Sequence, residues 1–167
     1  MDGRGGDMKF IVRQRLFGLG GGFSIKNEAL EDSYRVRSRL LALAKTLILS
    51  DMEGRELFVI RKKLLSLMPR FVIIKEDRVV ARVTKRFAFW RESFVIDGEA
   101  GAYRIEGRVL NLDYSIHKED RVAATVSKKF FALADTYGVD IAEGEDRAFM
   151  LALVIVIDQV CHEARGR

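Results

Sequence analysis

The chain is poor in the residues that build covalent and redox chemistry. It has one cysteine, Cys161, in 167 residues, so no internal disulfide can form and a reducing compartment is expected. Its two histidines, His117 and His162, are far apart in sequence. With a single cysteine they cannot assemble a structural zinc site. One proline and fourteen glycines argue against long linkers and for regular structure with glycine-marked turns. No apolar run reaches membrane-span length. The longest, Ala148 to Ile157, holds ten residues between Arg147 and Asp158, whereas a helical span needs about 17–25. No charged segment leads into an apolar one after Met1, so no secretion signal is expected.

What the chain has in quantity is apolar residues, 49%, and charged ones, 32%, which together predict a folded domain with a substantial core. The opening "MDGRGGD" reads as a loose tail over residues 1–7, followed by a single domain over 8–167. The net charge of +5 is unevenly spread. Residues 1–83 carry 17 Lys/Arg against 10 Asp/Glu, a balance of +7, and residues 84–167 carry 12 against 14, a balance of −2. An anionic partner for the first half is one consequence to test.

Six segments repeat one pattern: "IVRQRLFGL", "RVRSRLLAL", "VIRKKLLSL", "RVTKRFAFW", "RIEGRVLNL" and "TVSKKFFAL". The basic column is Arg15, Arg39, Lys63, Arg86, Arg108 and Lys129, and the last apolar column is Leu19, Leu43, Leu67, Trp90, Leu112 and Leu133. Downstream lie Phe23, Leu47, Phe71, Phe94, Tyr114 and Tyr137, and two residues beyond each stands Ile25, Leu49, Ile73, Ile96, Ile116 or Val139. This alternation, rich in aromatic and branched residues, predicts strands. Each repeat is then two strands and a turn, and six repeats give twelve antiparallel strands. A propeller blade takes four strands, so six hairpins would supply too few blades. A closed up-and-down barrel fits the count and leaves no free edge.

The segment from Asp146 to about Glu163 has no strand alternation and no internal glycine or proline, and it predicts a helix over about 146–163 with its N-cap at Asp146 or Glu145. From Ala148 to Ile157 the helix is apolar on every side, so it must be surrounded. Side chains already fill an eight-stranded barrel, whereas twelve strands leave a lumen. A helix about 10–12 Å across fits there. The expected fold is mainly β: a closed twelve-stranded antiparallel barrel around a buried C-terminal helix.

The stretches "MKFIVRQRLFGLGGGFSIKNE", "LLSLMPRFVI", "ATVSKKFFALADTYGVDIAEGED" and "LALVIVIDQV" resemble the LURP-one-related family. That resemblance implies the fold of the tubby C-terminal domain and kinship with phospholipid scramblases. Tubby domains bind phosphoinositides through basic surface residues, and scramblase relatives associate with membranes. The resemblance supplies no catalytic residues.

In a strand, residues i and i+2 share a face. Arg13 with Arg15, Arg35 with Arg37 and Arg39, and Arg61 with Lys63 therefore point together, as a basic band on the outer wall that suits anionic lipid headgroups. Thr84, Glu106, Thr125 and Ser127 dilute the band in later repeats. The competing explanation is that an outer wall must carry soluble residues in any case, and a protein-interaction scaffold is the alternative function. Phe17, Leu41, Leu65, Ala88, Leu110 and Phe131 are expected to close one rim of the barrel rather than enter lipid. "GLGGG" lacks the lysine of a phosphate-binding loop. Cys161 and His162 are neighbours that a helix points about 100° apart, so they do not form a nucleophile–base pair. Asp158 is expected near a barrel mouth. No enzyme activity, cofactor, metal or nucleic-acid partner is expected; the expected location is cytoplasmic, and the lipid reading would add peripheral attachment to a membrane.

Overall fold

The structure is a computed structural model that describes residues 8–13, 22–41, 44–63, 70–88, 91–99, 101–128 and 136–165. Twelve strands appear in chain order: β1 Met8–Arg13, β2 Gly22–Asn27, β3 Asp32–Leu41, β4 Ala44–Ser50, β5 Glu56–Lys63 and β6 Arg70–Lys75. They continue as β7 Arg78–Ala88, β8 Arg91–Gly98, β9 Gly101–Arg108, β10 Asp113–Lys118, β11 Arg121–Ser127 and β12 Thr136–Ile141. Each strand pairs antiparallel with its sequence neighbours, and β1 pairs with β12 over six residue pairs, from Met8↔Ile141 to Arg13↔Thr136, to close the barrel.

The inner lining is the set of repeat columns. Phe23, Leu47, Phe71, Phe94, Tyr114 and Tyr137 are all buried, as are Ile25, Leu49, Ile73, Ile96, Ile116 and Val139. Just past the second column the ladder slips, between Ile25 and Lys26, Leu49 and Ser50, Ile73 and Ile74, and Ile116 and His117. A bulge adds local bend and twist. Repeated at one place in four hairpins, it curves the sheet toward closure.

The lumen is filled by the helix α1, Arg147–Arg165. Every residue from Met150 to Asp158 is inaccessible to solvent, as a helix without a polar stripe requires. Asp146 caps it, with its Oδ1 accepting the Phe149 N–H at 3.0 Å. The barrel has two unlike ends. At the turn end lie the short turns at 28–31, 51–55, 76–77 and 119–120 and the 142–146 loop into α1. At the hinge end lie the opposite connections, among them a 3-10 turn at Val109–Asn111. There Leu112 takes a left-handed conformation and is fully buried. The other members of its column, Leu19, Leu43, Leu67, Trp90 and Leu133, lie outside the described residues.

Candidate functional site: a basic sector of the outer wall

Period-two alternation sends the columns inward, so the residues between them face out. Arg35, Arg37 and Arg39 on β3 and Arg61 and Lys63 on β5 are all exposed, as is Arg13 on β1. Arg15 lies outside the described residues. Register shows which cations share a row. Arg39 pairs with Thr46, Thr46 with Arg61, Arg61 with Val72 and Val72 with Arg82. Arg39, Arg61 and Arg82 therefore stand in one row across β3, β5 and β7, about 9.6 Å apart at two strand spacings each. Thr46 and Val72 face outward between them yet are only 1% and 3% exposed, which is what arginine stems laid along the wall produce. In the next row Lys63 stands directly opposite Arg70.

Two members of this sector, Arg70 and Arg82, escape the repeat reading because they belong to no marker column. A different signal finds them. There is no Asp or Glu between Asp32 and Asp51, between Glu56 and Glu76, or between Asp77 and Glu92. Those windows hold the halves of β3–β7 nearest the hinge end, and the carboxylates of these strands fall at the turn end.

Pairing follows the same division. Toward the turn end Lys26 is bound to Asp32 at 2.8 Å, Arg55 to Asp51 at 2.6 Å and Arg78 to Glu99 at 2.9 Å. The Lys26 hydrogen bond, then that of Ser24, holds the Asp32 carboxyl below its usual value. At Asp51 burial pushes upward, but the Arg55 amide and guanidinium outweigh it and the group is lowered. In the later repeats Arg104 binds Glu106 at 2.8 Å and Arg108 binds Asp113 at 2.5 Å. By contrast Arg35, Arg37, Arg39, Arg61, Lys63, Arg70 and Arg82 have no ion pair among the described residues.

Two other groupings bear on chemistry. Ser115 Oγ lies 2.8 Å from His117 Nε2, and Glu106 Oε2 lies 3.6 Å from the same nitrogen. In a catalytic triad the hydroxyl and the acid engage opposite ring nitrogens, so this arrangement does not activate Ser115. Inside the barrel, Asp158 is wholly enclosed, and Cys161 is buried as well. His162 lies on α1, and its side chain is outside the described residues. Tyr114 and Tyr137 are fully buried, and burial first, then the Asp158 charge, raises both phenols well above their ordinary value. Among the described residues no group of His, Cys, Asp and Glu is placed to hold a metal ion, and no helix is long and apolar enough to cross a membrane.

The fold agrees with what known proteins show. A family model described as LURP-one-related matches residues 8–158. The chain belongs to the LURP-one-related family. Within reach of that family it is 30% identical over 155 residues to the uncharacterized protein YxjI of Bacillus subtilis (strain 168), an alignment that covers 93% of this chain and 94% of YxjI. A protein of Arabidopsis thaliana solved by X-ray crystallography has the same fold, with a TM-score of 0.66 at 15% identity, covering 92% of this chain and 90% of that one. Neither name carries a catalytic activity, and LURP-one-related membership identifies the fold without a ligand.

Proposed function

We propose that the chain is a non-enzymatic binding module that docks on anionic lipid headgroups of a membrane surface through the β3–β7 sector. The observation that carries this reading is the set of seven exposed cations without ion pairs on β3–β7, whose hinge-side halves hold no carboxylate. Asp97 of β8 stands opposite Arg82 at the edge of the sector. Solubility alone would be served as well by mixed charges, which the later repeats have. The Lys63–Arg70 juxtaposition even opposes folding, since like charges directly across a ladder destabilise it.

Each Lys or Arg near an anionic surface contributes about 1 kcal/mol. The sector spans five adjacent strands on a curved wall, so a flat bilayer meets only part of it at once. If four cations engage together, the attraction is about 4 kcal/mol, which is weak, reversible and sensitive to salt. The enclosed helix takes no part in the contact.

Vesicle co-sedimentation tests the reading. Binding to vesicles containing phosphatidylserine is expected at low salt, with none to pure phosphatidylcholine, and it should fall as ionic strength rises. The triple variant Arg39→Glu, Arg61→Glu, Arg82→Glu should abolish it, and Arg37→Glu with Arg39→Glu should weaken it. Equal and negligible binding to both vesicles at low salt would sink the proposal. Capture of one stoichiometric protein that survives loss of the basic row would replace it with a scaffold role.

A further inference from the structure

At the turn end, away from the basic sector, a cavity of about 350 Å³ opens beside the first turn of α1. That size falls within the range of small-molecule sites, and barrel mouths are a common place for them. Its floor is aromatic. Phe58 on β5, Tyr103 on β9 and Phe149 on α1 are all buried, and the Phe149 ring lies 5.8 Å from that of Phe58 and 5.7 Å from that of Tyr103, tilted by 55° and 54°.

Two lysines stand over this floor. Lys75 Nζ is 5.5 Å from the Phe58 centroid and Lys118 Nζ is 5.8 Å from the Tyr103 centroid. Neither has a carboxylate partner among the described residues. An ammonium over a ring gains about 0.5–2 kcal/mol, and a charge-assisted hydrogen bond to a carboxylate is stronger. Both lysines therefore gain by turning from the rings to an incoming acid.

Three carboxylates also line the cavity, and two of them are engaged. Glu99 is bound by Arg78 at 2.9 Å, and Asp146 uses Oδ1 to cap α1. The third is the half-buried Glu145. Asp146 keeps its charge while capping the helix, so with Glu145 it balances the two ammonium groups. Selection of an acid rests on the placement of both lysines over the aromatic floor. A dianion would meet repulsion from Glu145, and an amine would have to displace the lysines.

We infer that this cavity binds a small aromatic monocarboxylate, its ring on the Phe58–Tyr103–Phe149 floor and its carboxylate between Lys75 and Lys118. Tyr103 adds a donor near the acid. Burial, then Glu145 and Asp146, pushes its phenol up to about 12, so it stays protonated at any physiological pH. The site shares no residue with the β3–β7 sector and is independent of the lipid proposal.

The test uses two ligands with one aromatic body and opposite charge, phenylacetate and benzylamine, read by calorimetry and saturation-transfer NMR on the full chain. Phenylacetate is expected to bind and benzylamine is not. Lys75→Gln with Lys118→Gln should weaken phenylacetate about tenfold or more, and far-ultraviolet circular dichroism should confirm that this surface variant is folded. Phe149→Leu should weaken it too. The Arg39/Arg61/Arg82 triple Glu variant should keep phenylacetate binding, and the double lysine variant should keep vesicle binding, so either proposal can fail without the other. Equal binding of the amine, binding indifferent to both lysines, or no binding of phenylacetate at millimolar concentration would each overturn the inference.

Discussion

Tyr137 is fully enclosed, and its hydroxyl has no hydrogen-bond partner among the described residues. The ring does the packing and the hydroxyl adds nothing that the protein returns. Tyr137→Phe is therefore expected to keep unfolding free energy within about 1 kcal/mol of the native chain, whereas Tyr137→Ala should cost roughly 3–5 kcal/mol. Urea titrations separate the two outcomes. Because the Tyr114 and Tyr137 phenols are raised in the folded state, their contribution to stability is whole below the unfolded value near pH 10. It is lost as pH rises further, since the unfolded chain releases those protons first. An alkaline unfolding transition is expected, and it should be shallower in the Tyr114→Phe, Tyr137→Phe double variant. At the acid side the sign reverses. Asp32, Asp51 and Glu106 are lowered in the folded state, so what they contribute is present above about pH 4 and is lost as pH falls through their folded values. Asp51→Asn should flatten that acid limb in a plot of melting temperature against pH.

Strand pairs and the helix start make their own demands. The Arg70→Glu change would set an acid directly opposite Lys63. It is expected to raise stability by about 0.2–1 kcal/mol and at the same time to reduce binding to anionic vesicles. A variant that is more stable yet weaker in binding would mark the cation as kept for function; one that binds as before would count against the sector. At the β9–β10 hinge Gly107 has φ +122°, and a side chain there would meet the Asp113 carbonyl at 2.6 Å and the Tyr114 Cα at 2.8 Å. Gly107→Ala should therefore destabilise clearly, through both strain and clash. At the start of α1, Asp146→Ala removes the cap on the Phe149 amide and should cost about 1 kcal/mol. Calorimetric melting temperatures measure both losses.

Taken whole, the molecule is a cylinder with unlike ends: most of its carboxylates and the small turns at one, the unpaired cations of β3–β7 toward the other. That polarity orients the chain at an anionic surface before contact, because the acidic end is repelled while the basic sector is drawn in. The helix is the shared core of all twelve strands, so its damage is global. Leu153→Ala, at a site with no solvent access, should cost about 2–5 kcal/mol and shift the whole unfolding transition without splitting it, by fluorescence and circular dichroism alike.

Much of this fold was legible in one dimension. A repeat of about 22 residues fixed the strand number, period two fixed which residues face inward, and a helix apolar on all sides could only lie enclosed. Those are local or periodic properties, and each needs no more than the order of residues to be stated. The alternation likewise placed Arg35, Arg37, Arg39, Arg61 and Lys63 outside. Register was not legible, because the bulges after Ile25, Leu49, Ile73 and Ile116 shift pairing by one residue, and a shift of one decides which cations become neighbours. So Arg82 joined the row of Arg39 and Arg61, and Arg70 came to face Lys63, only when the strands were paired. The aromatic cavity between Lys75 and Lys118 was hidden for the same reason: its residues come from β5, β6, β9, β10 and α1. Folding brings them together through contacts between distant segments, which no period along the chain records.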